Sequence, residues 1–430
     1  MTISPARVVA SSIIHQVLLG KSLHALLPHA LEAAAPADRP LCRELIYGTL
    51  REWPFLAPLS QSFMAKPLRK KDSDIQATLC AGLYELSHMH TPAHAVVSEA
   101  VNTVRALGKP WAAGLVNGIL RNYQRRTEPI SNFLNAAQCN ALPDWLFKQL
   151  VDQYASHIDE IARAARNRPP MVLRVNTAQL TRDEYLEHLN RAGIDGMPCD
   201  AQPAGIMLKG GVDVMRLPGF LEGWVSVQDA SAQLVPELLG PLPGERILDA
   251  CSAPGGKACH LVETQPALTA LLACDVSESR LAKVTESAQR LKLPVETLLA
   301  DARQLPDHVI SHPFDAILAD VPCSATGVMR RNPDIKVLRR EEDVAGFAAQ
   351  QLAILRGLWP ALKPGGRLLY VTCSLLQQEN DDVVGLFVGE QMATTARLDL
   401  DDGIRTEFGW QTVPRNNGGD GLYFSLLLKG

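Results

Sequence analysis

The sequence predicts a multidomain protein with an all-α N-terminal domain, a small α+β subdomain and a C-terminal α/β domain on a doubly wound parallel sheet. Apolar residues recur at helical spacing through residues 1–140. Short strand-like segments accompany an amphipathic helix in residues 141–232. From residue 233 onward, apolar runs alternate with helices, which is typical of a doubly wound sheet. We therefore expect domains at 1–140, 141–232 and 233–430.

Composition indicates an ordinary globular protein. Of the 430 residues, 47% are hydrophobic and 20% are charged. No apolar run approaches the ~18 residues of a membrane span, and the N-terminus lacks the pattern of a signal peptide. The nine cysteines include no CxxC pair, which argues against a disulfide framework, a zinc site or an iron–sulfur cluster. We expect a cytoplasmic monomer with no membrane contact and no metal.

The helical N-terminal domain is the basic part of an acidic chain. The formal net charge is −4, but residues 1–140 carry 14 Lys and Arg against 9 Asp and Glu, which leaves 28 against 37 for the remainder. The excess predicts a docking domain for nucleic acid, although a solvated helix face gives the same pattern. Cations at Lys66–Lys71 and Arg125–Arg126 lie at predicted element ends, where a phosphate backbone could reach them.

Two segments of this domain carry a family resemblance. They read LCRELIYG at 41–48 and GLVNGILR at 114–121, and they resemble the NusB family, an all-helical RNA-binding domain. The resemblance implies that RNA is a partner.

The middle segment predicts a linking helix and a small RRM-like subdomain. We expect a strand at Met171–Val175 and a helix at Thr181–Ala192, where Thr181 and Glu184 form a capping box. Further strands are expected near 206–208 and 224–227. Because no run of interleaved aromatic residues is available for base stacking, we expect a spacer that contacts the RNA backbone.

The C-terminal domain is predicted strand by strand. Strands are expected at Arg246–Ala250, Ala270–Cys274, Val295–Leu299, Phe314–Ala319, Arg367–Val371 and Leu422–Leu428. The intervening helices are expected at Lys257–Glu263, Ser279–Leu291, Glu341–Leu362 and Gln377–Val388. In such a sheet, ligands bind where the parallel strands end.

Acidic residues lie at the ends of three successive predicted strands, namely Asp249, Asp275 and Asp301. Carboxylates at such positions suit the ribose hydroxyls and the amino group of an adenosine. The first strand-to-helix turn has neither GxGxxG nor GxxxxGK[ST], which disfavours dinucleotides and nucleoside triphosphates. The pattern therefore predicts S-adenosylmethionine as cofactor, with a helix N-cap as the ordinary alternative for any single acid.

Two cysteines follow strands in similar tripeptides, Pro-Cys-Ser at Cys323 and Thr-Cys-Ser at Cys373. Methylation of a pyrimidine at C5 needs a thiolate that adds to C6, because C5 is otherwise not nucleophilic. An acid near N3, such as Asp320, would stabilise the developing charge. Cys373 precedes a predicted helix, and a helix N-terminus or a nearby cation would favour its thiolate. Each cysteine alone is also compatible with simple packing.

Four further motifs occur in order along the C-terminal domain, namely DACSAPGGKACHL, DVSESRL, DVPCSATGVMRRNPDIK and YVTCS. Together they resemble the RNA cytosine-C5 methyltransferases of the NOL1/NOP2/Sun family, which have a Rossmann-like class I methyltransferase domain. The resemblance implies that Cys373 is the nucleophile, that Cys323 assists product release and that Asp320 meets the base. It also implies contacts with S-adenosylmethionine from Cys251, Ser252, Ala253, Pro254, Gly255, Gly256, Lys257, Asp275, Arg280, Asp301 and Asp320.

Joined to a NusB-like domain, these motifs resemble the bacterial branch of the family that modifies cytosine 967 of 16S rRNA. The expected partner is 16S rRNA or a small-subunit assembly intermediate. Two alternatives stay open, namely the same chemistry on another RNA such as tRNA, and a non-catalytic assembly factor that binds S-adenosylmethionine and RNA. A basic strip is expected to contact phosphates, with a solvated helix face as its alternative, at Arg330, Arg331, Lys336, Arg339 and Arg340.

Overall fold

The structure is a computed structural model that describes residues 5–430. The first four residues, part of the stretch expected to lack a signal peptide, lie outside the described residues. The chain divides into two compact units. One contains the chain up to Arg168 together with Met329–Glu341, and the other contains Pro169–Val328 and Glu342–Gly430. The domain boundaries expected near residues 140 and 232 stay predictions.

The first unit is helical, as predicted. Its helices are α1 (Ala6–Leu18), α2 (Leu23–Ala33), α3 (Arg39–Arg51), α4 (Trp53–Ser62), α5 (Ser73–His88), α6 (Ala93–Ala106), α7 (Ala113–Arg125), α8 (Ala136–Cys139), α9 (Asp144–Tyr154) and α10 (Ile158–Arg166). Helices α1 to α8 contribute side chains to one apolar core. In α7 the buried residues Val116, Ile119 and Leu120 form a single face, because residues three and four apart lie on the same side of a helix. This face explains the apolar positions of the GLVNGILR motif.

The second unit begins with a small antiparallel sheet in the order β2-β3-β1-β4. Its elements are β1 (Met171–Val175), α11 (Arg182–Arg191), β2 (Gly196–Pro198), β3 (Gly205–Leu208) and β4 (Val225–Val227). The predicted capping box is present: the Thr181 hydroxyl accepts from the Glu184 N–H, and the Glu184 carboxylate accepts from the Thr181 N–H at 2.7 Å. β2 was not expected, because a short exposed Gly-Met-Pro segment has no strand pattern.

The larger sheet has the order β11-β12-β13-β9-β8-β5-β6-β7, and β10 pairs with β13. Strands β7, β6, β5, β8 and β9 are parallel, and β13 is antiparallel to β9. The remaining elements, in chain order, are α12 (Val235–Leu239), β5 (Arg246–Ala250), α13 (Gly256–Thr264), β6 (Ala270–Asp275), α14 (Glu278–Leu291), β7 (Glu296–Leu299), α15 (Asp307–Ile310), β8 (Phe314–Asp320), α16 (Ile335–Leu338), α17 (Glu341–Leu358), β9 (Leu362–Thr372), α18 (Asp381–Gln391), β10 (Thr394–Thr395), β11 (Ile404–Arg405), β12 (Trp410–Gln411) and β13 (Tyr423–Leu428). Of these, α16 belongs to the first unit.

Two predicted helices of this domain have different limits. The helix expected to reach Leu362 ends at Leu358, because Pro360 follows in a 3-10 turn and Leu362 already starts β9. The helix expected from Gln377 is only a 3-10 turn there, and α18 begins at Asp381.

The segment Met329–Glu341 packs within the first unit, although it lies between two elements of the large sheet. The Lys336 ammonium donates to the carbonyl oxygens of Arg51 and Ala141 at 2.8 and 3.0 Å. The Asp334 carboxylate accepts from the N–H of Leu23, in the first turn of α2, at 2.9 Å. Arg330 and Lys336 are only 2% and 4% exposed. The prediction that these two belong to a phosphate-binding strip is therefore wrong, because protein groups already bury their side chains.

Candidate active site

The site begins where the parallel strands end. Ala250 of β5 lies beside Cys274 of β6 and Ala319 of β8, and Asp320 of β8 lies beside Val371 of β9. Because these strands are parallel, the residues that follow them emerge at one edge of the sheet. The sequence motifs DACSAPGGK, DVSESRL, DVPCS and TCS all start at this edge.

The loop Cys251–Gly255 connects β5 to the first turn of α13, which contains Gly256 and Lys257. Gly255 has φ +92°, and a Cβ there would approach the α14 residue Val284 to 3.0 Å. Glycine is therefore required on both conformational and steric grounds. The cofactor positions predicted in this stretch, Cys251, Ser252, Ala253, Pro254, Gly255, Gly256 and Lys257, thus lie together in one turn. Burial raises the pKa of the Cys251 thiol, so this cysteine is a poor nucleophile.

Two buried carboxylates at this edge each have an oxygen that accepts no hydrogen bond from the described residues. The Asp249 Oδ2 accepts from the Ser252 hydroxyl at 2.7 Å, while its Oδ1 accepts no hydrogen bond from the described residues. The Asp275 Oδ2 likewise accepts none from them, although the Arg280 guanidinium lies 3.2 Å away. A buried acceptor that receives no hydrogen bond is costly without a ligand. They fit a ligand with hydroxyl and ammonium donors, as S-adenosylmethionine has.

Asp301 has a different environment from Asp249 and Asp275. It follows β7 in a loop, where the Arg303 guanidinium donates to its carboxylate at 2.6 Å. Hydrogen bonds from Arg303 hold the pKa of Asp301 below its ordinary value. The structure therefore places Asp301 at the predicted edge but gives it a partner of its own.

Lys257 and Asp320 form an ion pair between α13 and the end of β8. The Lys257 Nζ lies 2.6 Å from the Asp320 Oδ2. Burial lowers the pKa of Lys257, but the Asp320 carboxylate beside it raises this pKa by more, with smaller contributions from Cys373 and Asp249, so the pKa lies above its ordinary value. Lys257 therefore remains an ammonium whose positive charge acts on Cys373. Sequence reasoning named both residues but gave no signal that they pair.

The two motif cysteines meet at the carboxyl edge of β8 and β9. Their Sγ atoms lie 3.3 Å apart, and the N–H of Cys373 donates to the Cys323 sulfur at 3.3 Å. Cys323 is buried and Cys373 is partly exposed. The hydrogen bond with Cys373, followed by burial, raises the pKa of Cys323 well above its ordinary value. The helix predicted after Cys373 is present as α18 but begins only at Asp381, so its N-terminus does not follow Cys373 directly. The cation that acts on Cys373 is Lys257.

A buried polar network joins the two cysteine loops, and sequence reasoning missed it. The Glu379 carboxylate accepts from the Ser324 N–H at 2.7 Å and from the Ser374 hydroxyl at 2.6 Å. The two serine hydroxyls lie 3.1 Å apart. The repeated Cys-Ser pair in the two motifs is the only trace of this network in the sequence. Glu379 itself sits in the stretch that was expected to be an ordinary helix.

The three parts of the chain match three known families. Residues 236–428 match "16S rRNA methyltransferase RsmB/F", residues 4–125 match the NusB family, and residues 142–215 match the ferredoxin-like domain of RsmF/B-like methyltransferases. These matches confirm the predicted fold class, with a helical NusB-like domain, a small α+β subdomain and a Rossmann-like methyltransferase domain.

Full-length relatives carry the name "Ribosomal RNA small subunit methyltransferase B". The protein from Pseudomonas syringae pv. tomato is 42% identical and covers 98% of this chain and 96% of its own. The protein from Vibrio cholerae is also 42% identical, with coverage of 98% and 97%. These matches confirm the predicted family resemblance and S-adenosylmethionine as the cofactor.

Two solved structures share the fold. The crystal structure of PH0851 superposes with a TM-score of 0.82 at 21% identity and covers 100% of both chains. The structure of NSun6 from Pyrococcus horikoshii with SFG gives a TM-score of 0.59 at 19% identity, covering 67% of this chain and 98% of its own. In the part of the chain that the structure describes, no helix is both long and apolar enough to cross a membrane.

Proposed function

Because the chain belongs to the 16S rRNA methyltransferase RsmB/F family, we propose that it methylates C5 of a cytosine in 16S rRNA, at cytosine 967. Family membership makes the protein an S-adenosylmethionine-dependent RNA methyltransferase. The atom, the nucleotide and the covalent mechanism are our proposal. The partner is 16S rRNA or a small-subunit assembly intermediate.

The observation that carries the proposal is the pair of sulfur atoms 3.3 Å apart at the edge where the cofactor loop also lies. S-adenosylmethionine, when bound, supplies an electrophilic methyl group on a sulfonium. A nitrogen or oxygen acceptor needs at most a general base to attack such a group. A pyrimidine C5 needs a nucleophile added at C6 first. Two cysteines at this edge therefore favour a C5 acceptor.

We assign the attack to Cys373. It is the more exposed of the two cysteines, and the Lys257 ammonium favours a negative charge on its sulfur. The thiolate forms a C–S bond to C6 of the cytosine, and C5 takes the methyl group. A base then removes the C5 proton, the C–S bond breaks and Cys373 recovers its thiolate. Cys323 assists this release. Asp320 contacts the target cytosine, which has been flipped out of its stack in the RNA.

The cofactor is proposed to lie against the loop Cys251–Gly255 and the first turn of α13. Asp249 and Asp275 offer it buried carboxylate oxygens that accept no hydrogen bond from the described chain. Asp275 would take the ribose hydroxyls, since one carboxylate can accept both. Arg280 and Asp301 lie at the same edge of the sheet and complete the proposed set of cofactor-binding residues.

The test is methyl transfer from labelled S-adenosylmethionine to purified RNA, followed by mapping of the modified nucleotide. We expect label in 16S rRNA as 5-methylcytosine at cytosine 967, and none with Cys373→Ala. Label in tRNA alone would instead support a different RNA substrate. If the protein binds RNA and cofactor but transfers no methyl group, either to free rRNA or to assembly intermediates, the result would support a non-catalytic assembly factor.

A further inference from the structure

The small antiparallel sheet carries one deeply buried arginine. Arg174 lies in β1, an inner strand of that sheet, and is 1% exposed. Its neighbours Leu173 and Val175 belong to the core of the small subdomain. Because successive side chains of a strand point to opposite faces, Arg174 lies on the other face of the sheet. A charge buried this deeply needs hydrogen-bond partners, and those partners show what this face contacts.

The Arg174 guanidinium contacts α13 near both of its ends. Its Nη1 donates to the carbonyl oxygen of Gly256, in the first turn, at 2.7 Å. Its Nε and Nη2 donate to the two carboxylate oxygens of Glu263, in the last turn, at 2.8 and 3.0 Å. Residues seven apart lie on one face of a helix, so one side chain can bind both. A further bond from Nη1 to the Gln228 side chain, at 2.6 Å, holds the guanidinium in place.

Gly256 belongs to the turn that is proposed to hold S-adenosylmethionine. The same turn is bound from another side by α14, where the Ser287 hydroxyl donates to the Pro254 carbonyl at 3.3 Å. Arg174 therefore supplies the contact of this turn with the small subdomain. Without it, the start of α13 would lose a hydrogen bond from a charged group, which is stronger than one from a neutral group.

A second arginine joins the same subdomain to the large domain at a different place. Arg290, in the last turn of α14, donates to the carbonyl oxygens of Phe220 and Val225 at 2.6 and 3.0 Å. It also donates to the Ser226 hydroxyl at 2.9 Å. These three partners all belong to the small subdomain. Arg290 thus makes the same kind of connection as Arg174, but through residues outside the cofactor turn.

We propose that Arg174 is a positioning residue for S-adenosylmethionine. It holds the first turn of α13 in the conformation that binds the cofactor, which makes the small subdomain part of the cofactor site. The inference rests on the proposed function, because it presupposes that the cofactor lies against this turn. It gives the small subdomain a role in addition to the RNA-backbone contact that the sequence predicts.

The test is calorimetric titration of the full chain with S-adenosylmethionine, without RNA. The double variant Arg174→Met, Glu263→Met removes the bond to Gly256 and leaves no buried charge without its partner, and such apolar replacements of buried ion pairs are often tolerated. We expect the affinity to fall by about tenfold, the effect of losing one hydrogen bond from a charged group. Arg290→Met is the matched control and should keep the wild-type affinity. Wild-type affinity in the double variant, or an equal loss in Arg290→Met, would overturn the proposal.

Two further measurements separate positioning from folding. In methyl transfer to rRNA, the double variant should raise the KM for S-adenosylmethionine by about tenfold and leave kcat unchanged, because Arg174 does not touch the reacting atoms. A lower kcat with an unchanged KM would contradict the proposal. In wild type, the cofactor should slow amide hydrogen exchange in Met171–Val175 but not in α5, because coupling between two sites is reciprocal. Unchanged exchange in Met171–Val175 would overturn the proposal even if the double variant did not fold.

Asp275→Asn distinguishes this inference from the proposed function, in which Asp275 takes the ribose hydroxyls. If Asp275→Asn binds the cofactor as wild type does and the double variant does not, the proposed placement of the ribose is wrong and the role of Arg174 stands. If Asp275→Asn loses affinity and the double variant keeps it, the placement stands and the role of Arg174 is wrong. Methylation of an atom other than cytosine C5 would contradict the proposed function and leave the calorimetric result for Arg174 unchanged.

Discussion

At the residue scale, the chemistry depends on which charges surround a few strand-end side chains. The sequence was enough to single out Asp275, Asp320, Cys323 and Cys373, because strand ends and motif spacing are local properties. It was not enough to pair Lys257 with Asp320 at 2.6 Å. That ion pair joins residues 63 positions apart in the chain, and no pattern in the sequence indicates that they are in contact. Such a pairing follows only from the packing of α13 against the sheet.

The cation at Lys257 leads to a prediction about rate. Lys257→Met removes the ammonium that pairs with Asp320 at 2.6 Å and that acts on Cys373. Single-turnover methyl transfer should therefore slow by about tenfold, which corresponds to about 1.4 kcal/mol in the activation free energy. Lys283→Met, at an exposed position on α14, is the control and should keep the wild-type rate. An unchanged rate in Lys257→Met would contradict a role for this cation in the reaction.

At the element scale, the parallel strands of the large sheet were predicted, but its short antiparallel strands and the packing of the segment Met329–Glu341 were not. The parallel strands β5, β6, β8 and β9 contain buried apolar runs, so hydrophobic patterning locates them. The short antiparallel strands β10, β11 and β12 have two residues each, too few for any pattern. The segment Met329–Glu341 is another failure, because its many cations suggested an exposed surface. It packs against helices almost 300 residues earlier in the chain, as Lys336 and Arg51 show.

Lys336 allows a stability test of that packing. Burial lowers its pKa to about 7 in the folded protein, whereas an unfolded lysine titrates near ~10.4. Between these values the unfolded state binds more protons, so stability contributed by this site rises with pH. The free energy of unfolding of wild type minus that of Lys336→Met should rise by roughly 1.4 kcal/mol per pH unit from about pH 7 to pH 9.

The measurement is urea unfolding of the full chain at several pH values. Lys148→Met, at an exposed position of α9, should give the same pH dependence as wild type. A constant difference between wild type and Lys336→Met across this range would mean that Lys336 stays protonated when buried, and the lowered pKa assigned to this side chain would then be wrong.

At the scale of the whole molecule, the motifs identified both the helical NusB-like domain and the methyltransferase domain. What they did not reveal is that the first unit includes Met329–Glu341. Deleting residues 1–140 would therefore remove Leu23, which binds Asp334, and Arg51, one of the two carbonyl partners of Lys336. RNA binding by the basic N-terminal region is better tested by substitutions on its surface.

The exposed cluster Lys66–Lys71 supplies these substitutions. Replacing Lys66, Lys70 and Lys71 by Gln should weaken 16S rRNA binding and flatten its dependence on salt, by up to ~0.9 in the log–log slope for each phosphate that is no longer neutralised. S-adenosylmethionine affinity should stay unchanged, as measured by calorimetry. The same number of Lys→Gln changes at Lys209, Lys283 and Lys292 is the control for net charge. An equal reduction of RNA affinity in both variants would show that only net charge matters.

The central claim is that Cys373 attacks the cytosine and Cys323 releases it. It is tested most directly by incubating Cys323→Ala and Cys373→Ala with 16S rRNA and S-adenosylmethionine, and separating the products on a denaturing gel. We predict that Cys323→Ala accumulates a covalent protein–RNA adduct, because the C–S bond forms but is not broken efficiently, and that Cys373→Ala gives none. An adduct with Cys373→Ala and none with Cys323→Ala would contradict the account.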